Sequence, residues 1–341
     1  MNALQDWIDS LQRLPVAPLL GYPGARLTRT TIRENLFDAE THSQSILAAS
    51  SRWHPDLVVP MMDLSVEAGA LGLAVRFEDN ESPTVEEHPV HRRDDLARLR
   101  AQDVLQDTRL QSFLQTISIL AGEVTSSLGA YVAGPFTLAG LLMGANEVAI
   151  GTLRDPKLVH ELLEFAAQVI QAYASACVRA GADLIVILEP TAVLLSPKAF
   201  SEFSGRHVRA IADETASACV LHICGNTTPL LGPMCETGVD GLSLDSAVDF
   251  SVAVEKVPES VVLVGNIDPV RVMSAEDGAC VERAVRDLRM TMEGHSNFIL
   301  STGCDLPLQT PLDNIEAFMK AARAERTTED QASDCQPGDQ I

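Results

Sequence analysis

In the segment CVLHICGNTTPLL, His222 and Cys224 interrupt an apolar run with an imidazole and a thiol two positions apart, immediately before a Gly-Asn turn. On an extended strand residues i and i+2 share a face, so both side chains would project the same way. Imidazole nitrogen and thiolate sulfur together suit Zn²⁺, whereas Mg²⁺ and Ca²⁺ ask for oxygen. An isolated His-x-Cys also occurs in cores that hold no metal, because both residues are frequently buried. A second cysteine strengthens the metal reading: Cys304 in STGCDLP again sits where an apolar run ends at a glycine. Three protein ligands leave a fourth place for water or substrate, the arrangement of a catalytic zinc. Asp245 is the candidate to hold that place at rest, with Glu189 as second choice.

These residues need elements that bring them together. Runs rich in Val, Ile and Leu occur at 16–20, 57–63, 128–136, 184–189, 220–224, 241–245, 261–267 and 298–303, each followed by polar or Gly residues. Segments of helical periodicity lie between them, such as PKLVHELLEFAAQVIQAYASACVRAG, which stops at Gly181. Buried strands alternating with helices imply parallel pairing, and eight such units predict a closed TIM (β/α)8 barrel. The competing doubly wound sheet lacks a Gly-rich dinucleotide fingerprint after the first strand. LAVRFEDNESPTVEEHPV alternates and turns like a β-hairpin inserted after the second strand. One barrel domain is expected over residues 1–325, with a polar, disordered tail at 326–341.

Barrel chemistry gathers at the C-terminal ends of the strands. There the chain places Asp63, Glu189, His222 with Cys224, Asp245, Asn266 with Asp268, and Cys304. Asp63, Glu189 and Asp245 are the candidate catalytic carboxylates. Each is also readable as a rim residue or a helix cap, Glu189 equally so because it precedes Pro190. Gly134, Asn226 and Asn266, at turns around the mouth, are the candidate cofactor contacts. The remaining histidines, His42 among them, lack comparable partners and are read as structural.

A formal net charge of −22 argues against nucleic acid and anionic lipid as partners. No apolar stretch is long enough to span a bilayer, and no charged n-region followed by an apolar h-region opens the chain. Seven cysteines without that pattern read as reduced thiols, so a cytoplasmic location is expected.

With these residues in place, the chain resembles the uroporphyrinogen decarboxylase superfamily, and within it the MtaA/CmuA branch of methylcobamide methyltransferases. The resemblance runs from about Pro15 to Arg323. It is carried by DLSVEAGALG, GPFTLAGLLMG, GADLIVILEPTAVLLSPKAF, HICGNTTPLL, GVDGLSLDSAVDF, GNIDP and GCDLPLQTPLDNIEAFMKAAR. The decarboxylases carry RQAGR near the N-terminus and a His in the late Gly-rich turn. This chain has GYPGARLTRTTIREN and Cys304 there, which turns the resemblance toward the methyltransferases. The resemblance implies zinc held by His222, Cys224 and Cys304. It also implies methyl transfer between a corrinoid, as methylcobalamin or on a transient partner protein, and a small acceptor: a thiol such as coenzyme M, or tetrahydrofolate. Tetrapyrrole decarboxylation and a non-catalytic metal-binding barrel are the alternatives. An exposed barrel flank would support a homodimer.

Overall fold

The computed structural model describes residues 2–324. Among them β1 (Leu57–Val58) is followed by a short antiparallel pair, β2 (Val75–Arg76) and β3 (Thr84–Val85). The main strands are then β4 (Ser127–Ala133), β5 (Leu184–Leu188), β6 (Ala218–Ile223), β7 (Gly241–Leu244), β8 (Val262–Ile267) and β9 (Phe298–Thr302). With β1 they form one parallel, curled sheet in the order β1-β4-β5-β6-β7-β8-β9. Helices cross between successive strands, as parallel pairing requires. The expected tail at 326–341 lies outside the described residues.

The run at 16–20 does not become a strand. Only Val16 pairs, in a single parallel bridge to Leu300 of β9. Pro15 and Pro18 explain this, since neither has an N–H with which to extend a ladder. The segment still joins the two edges of the sheet. Ala17 N–H donates to Leu300 C=O at 2.9 Å, and Asp56 N–H, one residue before β1, donates to Val16 C=O at 2.8 Å. The expected run at 128–136 also ends early, because Pro135 opens the helix Pro135–Met143 at its first position, where its missing N–H is harmless.

Strand alternation sorts the core into two parts. Leu184, Val186 and Leu188 of β5, Ala218 and Val220 of β6, and Val262 and Val264 of β8 pack together on the inner face of the curl. The other parity, including Ile185, Ile187, Leu221 and Leu263, packs against the surrounding helices. Leu4 and Ile8 of the helix Ala3–Leu11 plug the inner cluster from below. Asn2 caps that helix and donates to the carbonyls of Asp240 and Ser260, just before β7 and β8. The floor is thereby shut at the N-terminal ends of the strands, leaving chemistry to the opposite end. Among the described residues, no single helix is long and apolar enough to cross a membrane.

His42, on the helix Ala39–Trp53, pins the chain just beyond β1: its Nε2 accepts the Met61 N–H at 2.9 Å. The ring stands edge-on to Phe113, with centroids 5.3 Å apart. Burial lowers its pKa from 6.5 to about 3, so the folded chain holds it neutral. Between those values the unfolded chain binds a proton that the folded chain refuses, so stability is lost as pH falls through this window. His42→Gln keeps an acceptor for Met61 but cannot titrate. The stability advantage of wild type over this variant should shrink by up to about 1.4 kcal/mol per pH unit on acidification. Urea unfolding from pH 7 to pH 4 reads this, and a difference constant with pH contradicts it.

Candidate metal centre and active site

His222 follows Ala218 and Val220 in the inward parity of β6, and Cys224 stands one residue past the strand end. Cys304 arrives from the far side of the curl, two residues past β9. Their donor atoms all lie within 4.8 Å of one another. His222 Nε2 is 3.1 Å from Cys224 Sγ, and the two sulfurs are 3.8 Å apart. Tetrahedral zinc with Zn–S bonds near 2.3 Å would set two sulfurs about 3.8 Å apart, so the spacing and the donor types fit this ion. The other ring nitrogen, His222 Nδ1, is 3.0 Å from the hydroxyl of Ser243, its neighbour in register on β7. That contact orients the ring and leaves Nε2 facing the thiols, the usual outer support of a ligating histidine.

The three groups tune one another. A hydrogen bond with Cys304 lowers the Cys224 pKa, against the opposing effect of burial. The same contact, joined by burial, pushes the Cys304 thiol up. For His222, burial works against the imidazolium, but the hydrogen bond and charge of Cys304 outweigh it and the net shift is upward. A ligated metal ion would require the thiols deprotonated and the imidazole neutral, so metal binding would release protons from these groups.

The expected carboxylates stand elsewhere. Asp245 is not in the donor group: Oδ2 accepts the Gly225 N–H at 2.9 Å, and Oδ1 accepts the Ala247 N–H at 2.8 Å. It therefore ties the loop after β7 to the turn after Cys224, where Gly225 takes a positive φ of 86°. Asn266 braces the same loop, donating to the carbonyls of Asp245 and Val248. Asn226 accepts the Thr228 N–H in a local turn. Asp268 accepts the amides of Val270 and Arg271 and pairs with the Arg271 guanidinium.

Glu189 is fully buried and caps the helix Pro135–Met143. Oε1 accepts the Phe136 N–H and the Ser204 hydroxyl, and Oε2 accepts the Thr137 N–H. Burial raises its pKa against the pull of these bonds. Gly134 makes room for it: a Cβ there would lie 2.2 Å from Glu189 Oε2. Asp63 is likewise engaged. It pairs with the buried guanidinium of Arg109, and its other oxygen accepts the amide and hydroxyl of Ser65 at 2.7 Å each. Arg109 lies 46 residues further along, on the helix Thr108–Glu123, and its guanidinium stacks 4.9 Å from the Phe77 ring centroid.

A cleft of about 450 Å³ opens beside Cys304, with Asp63, Tyr22, Ser82 and Asp305 among its walls. Asp305 did not emerge from the sequence reading, although its place immediately after Cys304 was a signal. One of its oxygens accepts the Met62 N–H at 3.3 Å, while Oδ1 is buried with no hydrogen-bond partner. Burial and the adjacent Cys304 hold its pKa well above the usual carboxylate range. Tyr131 also carries a buried hydroxyl with no partner, and its pKa is raised by burial first and then by Asp305 and Cys304. Glu67, whose Oε1 accepts the Ala133 N–H, was missed too; burial raises it to about 7. The cap geometry yields a direct test. Gly134→Ala should destabilise the fold by about 1–3 kcal/mol through overpacking against Glu189. Denaturant unfolding measures this, and an unchanged midpoint would show that the carboxylate is not so confined.

The family model for uroporphyrinogen decarboxylase matches residues 8–325. The methylcobamide:CoM methyltransferase MtbA of Methanosarcina acetivorans is 32% identical over 274 residues, covering 76% of this chain and 77% of that protein. The methylcobamide:CoM methyltransferase MtaA of Methanosarcina barkeri is 30% identical over 265 residues, covering 76% of each. A solved methyltransferase from Methanosarcina mazei superposes with a TM-score of 0.83 at 25% identity, covering 91% of this chain and 93% of that one. The chain thus belongs to the uroporphyrinogen decarboxylase family, on its branch of methylcobamide methyltransferases.

Proposed function

We propose that the protein is a zinc-dependent methyltransferase that moves a methyl group from a corrinoid to a small thiol acceptor. The observation that carries this reading is the convergence of His222, Cys224 and Cys304, with donor atoms within 4.8 Å and the sulfurs spaced for one tetrahedral ion. His222, Cys224 and Cys304 would hold the zinc, and Asp245, Asn266 and Ser243 position them. Bound there, zinc would supply a Lewis acid that favours the thiolate form of an acceptor thiol. The net reaction forms a sulfur–carbon bond and breaks the methyl–cobalt bond, whose electron pair stays on cobalt, while the thiol proton passes to solvent.

The relatives named for methylcobamide and coenzyme M support a methylated corrinoid as donor, free or on a transiently docked partner protein. The acceptor is a small molecule reaching Cys304 through the 450 Å³ cleft. Tetrahydrofolate is a less favoured acceptor, because its glutamate carboxylates would face the carboxylates of that cleft. The same argument disfavours a tetrapyrrole polycarboxylate, all the more because Asp63 is already paired with Arg109. We also read the curled sheet as a (β/α)8-type barrel, closed between β9 and β1 by the singly bridged Val16 segment in place of an eighth strand, with the β2–β3 hairpin as an insertion. The free cysteines among the described residues support a reducing, cytoplasmic setting.

Protein purified without chelator should contain about one zinc per chain, and Cys304→Ser should lose most of it. Methylcobalamin demethylation by an added thiol should fall at least about 100-fold in the variant, since losing even an outer partner of a ligand costs 10–100-fold. A wild type that takes up no zinc contradicts the proposal.

A further inference from the structure

We infer that Cys224 and Cys304 form a redox switch: a hydroperoxide closes them into a disulfide that dismantles the metal centre, and a small thiol reopens it. The inference concerns the regulation of the proposed metal site and rests on that reading. Its basis is the placement of the two sulfurs. They are 3.8 Å apart although 80 positions separate the residues in the chain. Cys224 stands one residue past β6 and Cys304 two past β9, so the curled sheet holds the pair together with no covalent link between them. A disulfide needs its sulfurs about 2 Å apart, which asks for an approach of roughly 1.8 Å. Both residues lie outside the strand ladders, where side chain and backbone can follow that movement.

Access and company single this pair out. Both cysteines are half-buried, and Cys304 lines the 450 Å³ cleft through which a small oxidant reaches it. Cys177 and Cys219 are buried, and among the described residues neither they nor Cys235 and Cys280 have a second sulfur in contact. With a hydroperoxide as oxidant the chemistry balances. One thiol takes an oxygen from hydrogen peroxide, becoming a sulfenic acid and releasing one water. The second thiol then displaces that oxygen as a second water and forms the sulfur–sulfur bond. The disulfide withdraws two of the three donors, and His222 alone does not hold zinc. Two equivalents of a small thiol reverse the change by exchange and leave as their own disulfide. A thiol acceptor belongs to this class of reductant, so the substrate itself would restore the site.

The test adds hydrogen peroxide to the full chain, metal-free and zinc-loaded. Alkylation with peptide mass mapping identifies the products, and a chromogenic chelator reads released zinc. We expect the Cys224–Cys304 cross-link to be the main product, forming at least about tenfold faster than oxidation of any other described cysteine. In the zinc-loaded chain cross-link and free zinc should rise together, and 2-mercaptoethanesulfonate should return both thiols and the capacity for zinc. Singly oxidised cysteines without a cross-link, a zinc-loaded chain that resists the oxidant, or a cross-link that leaves zinc bound overturns the inference. Wild type decides this without any variant. Methylcobalamin demethylation that persists after the cross-link is complete would remove the switch and leave the methyltransferase reading intact. A reversible cross-link in a chain that, reduced and reloaded with zinc, transfers no methyl group would do the reverse.

Discussion

Side-chain alternation along β6 places Ala218, Val220 and His222 on the inner face of the curled sheet and leaves Cys224 at its rim. Everything at the candidate centre depends on that parity, because a one-residue slip would turn the imidazole outward into the helical layer. The register with β7 is what makes the parity useful. It sets Ser243 opposite His222, so that one ring nitrogen is occupied and the other faces the thiols. Curvature then does the rest. β9 lies three places from β6 in the sheet, and only a strongly curled sheet brings Cys304 within 3.8 Å of Cys224.

Around this centre the carboxylates divide by what they hold. Glu189 neutralises no cation; it satisfies the free amides that open the helix Pro135–Met143, where a negative group is favoured. Asp245 binds two loop amides and so couples the loops after β6 and β7. Asp63 is matched to Arg109 in a pair with almost no exposure, where losing one partner would strand the other's charge. These are positioning roles, and they keep the mouth fixed while the soft donors remain available.

The pairing of His222 and Cys224 was legible in the sequence because strand periodicity is short-ranged: two residues on one strand share a face wherever the strand goes. The strand ends at Glu189, Asp245 and Cys304 were legible for the same reason. The run at 16–20 looked apolar enough for a strand, but its two prolines limited it to one bridge. The roles of the carboxylates were less legible. Whether an oxygen is free depends on distant partners, as with Arg109, 46 positions from Asp63 on a helix whose pattern gives no hint of the pairing. That Gly134 leaves space for a carboxylate brought by the next strand could not be read from the turn pattern alone. Asp305 was overshadowed by the more conspicuous cysteine beside it.

Zinc-edge X-ray absorption on the metal-loaded protein tests the central claim most directly. A first shell of two sulfurs near 2.3 Å, one nitrogen near 2.0 Å and one further light atom would match His222, Cys224, Cys304 and an exchangeable place. Addition of a thiol should replace the light atom by a third sulfur. A shell of nitrogen and oxygen alone, unaltered by thiol, would contradict the account, because zinc would then sit away from the site that the sheet assembles.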